Sequence, residues 1–211
     1  TDWKNIPESN FFPSNLNKYK LFERKLINKN LKKINKLKNT NIYVSRENAL
    51  PKNQNIELTN VVWTSGVKTW KKLAKKGYWV NGSSDSLGED DPEIKCLSKN
   101  KKWVKLTHNM TQKNYFKSHK DPQNARIIPT YELKPVNMNE DLNEKTHFYW
   151  MSGSAFKLAL KNYPKIINAN HSCGPGNTLK TIKKYINKNN INVFLSYEDA
   201  LKNITRPGDK K

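Results

Sequence analysis

The sequence predicts an α/β protein built of two similar Rossmann- or flavodoxin-like domains, each a parallel sheet covered by helices. Three observations lead there. Short apolar runs of strand length alternate with helical stretches along most of the chain, and alternation of this kind produces parallel sheets flanked by helices. The order of elements in the first half recurs in the second, and such a duplication does not arise by drift. The 211 residues, 35% hydrophobic with six Trp and nine Tyr, are enough for one large or two small domains with real cores and argue against disorder.

Taken in order, residues 1–20 carry two prolines and little periodicity and read as an extended arm with a turn near Pro13. Leu21, Phe22, Leu26, Ile27, Leu31, Ile34 and Leu37 fall near helical spacing among lysines, which predicts one amphipathic helix over 21–37. Strands are expected at Ile42–Val44, Val61–Trp63, Tyr78–Val80, Trp103–Leu106 and Ile127–Ile128, from their β-branched and aromatic content. A helix is expected over Lys68–Lys76. The alternation resumes with a strand at Phe148–Met151, a helix over Ser154–Asn162, a strand near Ile166–Ala169 and a helix over Asn177–Asn187. A strand at Val193–Leu195 and a helix over Tyr197–Asn203 complete it. Asn137–Lys145 is polar and aperiodic and reads as a surface loop or connection.

The duplication runs through both halves. Each has an apolar strand, a Ser-rich turn, a helix, a second strand, a Gly-then-Thr turn, a lysine-rich helix and a third strand. The Ser-rich turns are Ser45–Leu50 and Ser152–Phe156; the Gly/Thr turns are Gly66–Thr69 and Gly174–Thr178.

The formal net charge of +21 suits a polyanionic partner, whether nucleic acid, an anionic membrane surface or a small molecule with many carboxylates. Lysine supplies nearly all of it, since the only arginines are Arg24, Arg46, Arg126 and Arg206. A surface that reads bases leans on the planar fork of Arg, so no nucleic-acid partner is expected. Lys and Asn are also what an AT-rich genome places at any surface position, so part of the charge reads equally as drift. Cys96 and Cys173 are far apart and have no ligand spacing, and His108, His119, His147 and His171 show no metal pairing. Reduced thiols, no metal and a cytoplasmic location are therefore the expectation. No window is long and apolar enough for a membrane span or a secretory signal.

The Gly/Thr turns are the candidates for chemistry. Gly lets a backbone approach a ligand closely, and exposed N–H groups at a helix start favour anions. Gly66, Lys68 and Thr69, with Gly174, Asn177 and Thr178, would make two anion-receptive corners at strand carboxyl ends, where ligands bind in such sheets. The structural alternative is that both threonines only start their helices. Ser45, Ser152, Gly153 and Ser154 occupy the other strand ends, where the serines can donate to carboxylates or cap helices. Tyr131 lies in an extended stretch before the presumed crossover. Neither turn is a Walker loop or a G-x-G-x-x-G fingerprint, which disfavours nucleotides.

In order and spacing these residues resemble the uroporphyrinogen-III synthase family over about residues 40–204. Ser45–Leu50 is similar to the family's Thr-Ser-x-x-Ala-Val turn, and Thr64–Trp70 to its Val-Gly-x-x-Thr-Ala turn. Ala125–Tyr131 is similar to its Val-Tyr element, Met151–Ala155 to its later Ser-rich turn, and Ser172–Thr178 to its Ile-Gly-Pro-x-Thr turn. The last turn carries one residue more than the family pattern, and Thr64-Ser65 stands where small apolar residues are usual.

The resemblance implies two α/β domains joined by a two-stranded ribbon around a cleft, with domains at 14–132 and 133–211 and residues 1–13 as a ribbon strand. It also implies that the C-terminal domain lacks its first strand-helix unit, or receives it from another chain or an upstream segment. The implied activity is cofactor-free closure of hydroxymethylbilane to uroporphyrinogen III, in tetrapyrrole (heme) biosynthesis, with inversion of the fourth ring. The substrate's eight carboxylates match the basic charge. Backbone N–H groups and Ser/Thr hydroxyls would hold them, and the Tyr131 phenol would assist departure of hydroxide. A monomer is expected, with hydroxymethylbilane synthase as a contact. Two other classes stay open, a non-catalytic or fragmentary domain associated with that enzyme and a basic nucleic-acid-binding protein.

Overall fold

In the computed structural model the chain divides into two compact units, residues 1–23 with 135–211, and residues 24–134. The structure describes residues 3–16, 21–84, 102–109, 126–136 and 140–205; Cys96, His119, Arg206 and the 137–139 part of the expected loop lie outside these.

The 24–134 unit holds a sheet ordered β3-β8-β7-β4-β5-β6, formed by Phe22–Leu26 (β3), Asn41–Val44 (β4), Val61–Thr64 (β5), Gly82–Ser83 (β6), Trp103–His108 (β7) and Arg126–Pro135 (β8). Strands β8, β7, β4, β5 and β6 are parallel throughout. β4 is buried on both faces, as a central parallel strand must be. Helix α1 (Asn28–Ile34) buries Leu31 and Ile34, and α2 (Val67–Lys75) buries Thr69 and Leu73. Tyr43, Trp63 and Trp103 pack as an aromatic cluster.

The single helix expected over 21–37 is instead a strand followed by a short helix. β3 runs antiparallel to β8: Ile27 donates its N–H to Thr130 O at 2.8 Å, and Val136 donates to Leu21 O at 3.1 Å. Pairing with a partner more than 100 residues away overrides a helical pattern that only local contacts would support. The unit boundaries fall inside these two strands, while Ile6–Pro7 and Phe11–Phe12 pair with strands of the other unit. Tyr78–Val80 is not a strand. Tyr78 donates its hydroxyl to Pro51 O at 2.5 Å, and pairing begins at Gly82. No helix follows the Ser45 turn; a single 3-10 turn, Glu47–Ala49, takes its place.

The other unit has a parallel sheet ordered β11-β10-β9-β2, from Phe11–Phe12 (β2), His147–Trp150 (β9), Asn170–Cys173 (β10) and Ile191–Val193 (β11). Beside it Ile6–Pro7 (β1) pairs with Ile204–Thr205 (β12). The N-terminal stretch therefore supplies the edge strand this domain was expected to lack, although the described residues between Phe12 and Phe22 hold no helix. Its core gathers Phe12, Phe148, Trp150, Phe156, Ile166 and Ile182 among others. A second group joins Trp3, Ile6 and Phe11 to Tyr149, Tyr197 and Ile204. Helices α3 (Gly153–Asn162), α4 (Asn177–Ile182) and α5 (Tyr197–Leu201) cover the sheet.

The strand expected near Ile166–Ala169 is a 3-10 turn, and the true strand is the polar Asn170–Cys173. Its polar groups are satisfied internally. His171, fully buried, accepts from the Trp150 indole at 2.9 Å and pairs through Nε2 with Ile166 O at 2.8 Å, while Ser172 donates to Phe148 O at 2.9 Å. The strand expected at Val193–Leu195 ends at Val193, and Leu195 is exposed.

The duplication holds at the level of sheet order. In one unit β4, β5 and β6 lie side by side and parallel; in the other β9, β10 and β11 do the same.

Candidate functional site

Each unit presents two corners at the carboxyl ends of adjacent parallel strands. In the 24–134 unit, the corner after β4 starts at Ser45, whose N–H and hydroxyl both donate to Leu106 O at 3.1 and 2.9 Å. The corner after β5 is tied to it, because Ser65 donates its hydroxyl to Ser45 O at 2.8 Å. Gly66 then precedes α2 with extended backbone, and Thr69 and Trp70 donate to Gly66 O at 3.0 and 3.1 Å. No side chain caps α2, so its first N–H groups face outward without a hydroxyl or carboxylate from the corner to accept from them. Lys68 is exposed on the first turn and Thr69 is buried.

Tyr131 comes from β8, next to β7, and reaches the Ser45 corner. Its ring lies 5.9 Å from that of His108, and it shares a hydrogen bond with Ser45. The side chain is 1% exposed. Burial pushes the phenol above its ordinary range; the charges of Arg46 and Arg24 and the Ser45 hydrogen bond pull it partly back, and Glu47 adds to the rise. Tyr131 is therefore a protonated phenol at neutral pH, able to donate. The sequence reading brought Ser45 and Tyr131 forward separately, and the structure places them in contact.

What that reading missed is the company Tyr131 keeps. Arg46 follows Ser45 in the same turn and Arg24 lies on β3, and the charges of both act on the phenol, while His108 of β7 stands against its ring. Burial, then the charges of Lys105, Arg46 and Arg24, push His108 down to about 4. Burial first, then Arg24, lowers Arg46. Lys105 sits 5.8 Å over the Tyr43 ring. Glu47 is bound by Lys72 at 2.9 Å. For Glu47, burial alone would raise the carboxyl, but the Lys72 hydrogen bond, its own backbone N–H and the Lys72 and Arg46 charges outweigh it. The scarcity of Arg was the available signal: the charges of two of the four arginines act on one phenol.

In the other unit, Ser152 caps α3, accepting from Ala155 N–H at 3.3 Å, and its hydroxyl lies 3.3 Å from that of Ser154. The capping alternative thus describes Ser152. Gly153 is there for packing: a Cβ would lie 2.7 Å from Thr181 Oγ1 of α4. That contact joins the β9 corner to the β10 corner. A Cβ at Gly174 would make ordinary van der Waals contact, 3.8 Å from Phe194 O and from the Tyr149 hydroxyl. Burial, then Cys173, Glu198 and Asp199, push that hydroxyl up to about 12, which makes it a second protonated phenol at a corner. Gly176, at φ 108°, makes the left-handed turn into α4, which has no side-chain cap. Asn177 is exposed and Thr178 half-buried on its first turn, and Asn177 O accepts from Thr181 Oγ1 at 2.9 Å. The six residues of α4 make a weak dipole, so the donors here are single N–H groups.

Among the described residues no group of three His, Cys, Asp or Glu side chains could hold a metal, and no helix is long and apolar enough to cross a membrane. The chemistry open to these corners is donation to anions and protonation by a neutral phenol.

No family model and no curated protein matches the chain. Among solved structures, uroporphyrinogen-III synthetase from Helicobacter pylori 26695 is similar to it at 16% identity and a TM-score of 0.52, covering 94% of this chain and 97% of that one. Uroporphyrinogen III synthase from Thermus thermophilus is similar at 10% identity and a TM-score of 0.44, covering 86% and 84%.

Proposed function

We propose that this chain, which has the fold of the Helicobacter pylori uroporphyrinogen-III synthetase along almost its whole length, performs the same reaction: closure of linear hydroxymethylbilane to uroporphyrinogen III, with loss of water and inversion of ring D. One observation carries the reading. Matched corners with uncapped helix starts recur in both units, after β5 and after β10, and in a chain of charge +21 each corner suits a carboxylate group.

The reaction needs a flexible polyanion to be positioned more than it needs a strong base. Backbone N–H groups at Gly66–Lys68 and Gly174–Asn177, with the hydroxyls of Thr69, Ser154 and Thr178, would hold acetate and propionate groups. Lys68 would add charge at the first corner. The Tyr131 phenol, kept protonated by burial, would deliver a proton as the hydroxyl leaves. No cofactor enters these steps. The reading makes the chain a lyase of heme biosynthesis in the cytoplasm, in contact with hydroxymethylbilane synthase.

The test is a coupled assay. Hydroxymethylbilane is supplied by its synthase, the products are oxidised, and the porphyrin isomers are separated by chromatography. The reading predicts type III product above the type I formed by spontaneous closure. Type I alone, from a chain whose folding is verified by circular dichroism, would refute it.

A further inference from the structure

In the 24–134 unit the corners described above stand at the carboxyl ends of the parallel strands, and the amino ends of the same strands carry a different surface. Leu58 lies three residues before β5 and Trp79 three before β6. β5 and β6 are parallel neighbours, so both residues come to one end of the sheet. They are 95% and 78% exposed, the most exposed large apolar side chains among the described residues of this unit.

Neither rides on a loose loop. On either side of Leu58, Glu57 Oε2 lies 3.6 Å from Lys38 Nζ, and Thr59 Oγ1 accepts from Asn39 N–H at 3.1 Å, which ties this turn to the one before β4. Before Trp79, the Tyr78 hydroxyl accepts from Gln54 N–H at 2.9 Å and donates to Pro51 O. After it, Asn81 exchanges two hydrogen bonds with Val62, each of 2.8 Å. The backbone thus holds a leucine and an indole out in water, where their apolar area gains by leaving it.

The charge around them is positive. Lys36 and Lys38 precede β4, Lys75 ends α2 and Lys102 precedes β7, and all four are exposed. Parallel pairing of β7, β4, β5 and β6 sets them at the same end of the sheet as Leu58 and Trp79. Apolar tips framed by ammonium groups suit an anionic bilayer, whose phosphates meet the lysines while the leucine and the indole enter the acyl boundary. A nucleic-acid strand suits them less, since Leu58 offers no ring to stack on a base and none of the four cations is Arg.

We propose that this amino-end face docks on an anionic lipid bilayer, with Leu58 and Trp79 inserted and Lys36, Lys38, Lys75 and Lys102 against the lipid phosphates. Docking this way leaves the carboxyl-end corners of the unit open, and it does not depend on the reaction proposed for them.

The experiment sediments the full chain with vesicles of equal parts phosphatidylserine and phosphatidylcholine, and with vesicles of phosphatidylcholine alone. A chain of charge +21 adheres to many anionic surfaces, so the deciding variant, Leu58→Ser with Trp79→Ser, keeps every charge. It is expected to bind the mixed vesicles at least about tenfold more weakly. Lys75→Gln and Lys102→Gln should each cost about fivefold, while Lys157→Gln, exposed on α3 of the other unit, should change binding little. With phosphatidylcholine brominated on its acyl chains, the vesicles should quench Trp fluorescence, and Trp79→Phe should remove most of that quenching. All these side chains are exposed, so circular dichroism should be the same for every variant.

Undiminished vesicle binding by the double Ser variant, or quenching that survives Trp79→Phe, overturns the proposal, because charge alone then holds the chain. Single-stranded RNA is the remaining arm. If it binds, and the double Ser variant weakens that binding more than it weakens vesicle binding, the face is a nucleic-acid surface and the proposal falls.

Discussion

Lowering the pH from 7 to 4 should unfold this protein partly through one side chain, His171. It is fully buried, stacked on Phe148 at 5.3 Å between ring centres, and both ring nitrogens are engaged, Nδ1 by the Trp150 indole and Nε2 at Ile166 O. Burial pushes its pKa from 6.5 down to about 4, against a smaller upward pull from the Ile166 hydrogen bond. Between those values the unfolded chain binds a proton that the folded chain refuses, so the stability present above pH 6.5 is lost as pH falls toward 4, and below 4 the loss stops. At 1.36 kcal/mol per unit the full effect is about 3 kcal/mol, a large part of the roughly 5–15 kcal/mol of a typical domain. His108, depressed to about 4 in the same direction, adds less because it is only half-buried. Urea unfolding followed by Trp fluorescence at pH 7, 6, 5 and 4 measures the loss. His171→Asn, which keeps an acceptor near the indole, should be less stable at pH 7 yet lose about 1.4 kcal/mol less per pH unit across the window. Carboxylates titrate alike in both proteins, so the difference isolates His171. Parallel curves for the two would refute the reasoning.

Other substitutions test the corners. Tyr131→Phe removes the buried phenol and leaves its ring packed, so type III formation should fall at least tenfold while stability changes by about 1 kcal/mol; undiminished turnover removes Tyr131 from the mechanism. Gly153→Ala drives a Cβ to 2.7 Å from Thr181 Oγ1 and should cost about 1–3 kcal/mol, read as a lower urea midpoint. A Lys72→Ala change breaks an exposed pair with Glu47 and should cost under about 1 kcal/mol.

Asparagine shows where composition misleads. Read as a surface residue favoured by base composition, it is here a backbone ligand. Asn60 accepts from Thr40 N–H at 2.9 Å and donates to Leu37 O at 2.7 Å, Asn30 donates to Pro129 O at 2.8 Å, and Asn81 accepts from Val62 N–H at 2.8 Å. Asn5, Asn39 and Asn53 sit at positive φ, which few other residues with a Cβ tolerate. Among the described residues the lysines, by contrast, are mostly exposed.

The sequence by itself determined the α/β class, the duplicated strand-turn-helix order and the corners at 66–69 and 174–178, because periodicity and Gly/Ser/Thr placement are local signals that the chain carries wherever it folds. The tertiary structure alone decided that 22–26 is a strand, that Phe11–Phe12 gives a strand to the C-terminal sheet, and that polar Asn170–Cys173 is largely buried. Each depends on a partner far away in the chain: Thr130 for Ile27, His147 for Phe11, Trp150 for His171. It also set the His108 ring 5.9 Å from that of Tyr131, since pairing of β7 with β8 brings together residues that sequence distance keeps apart.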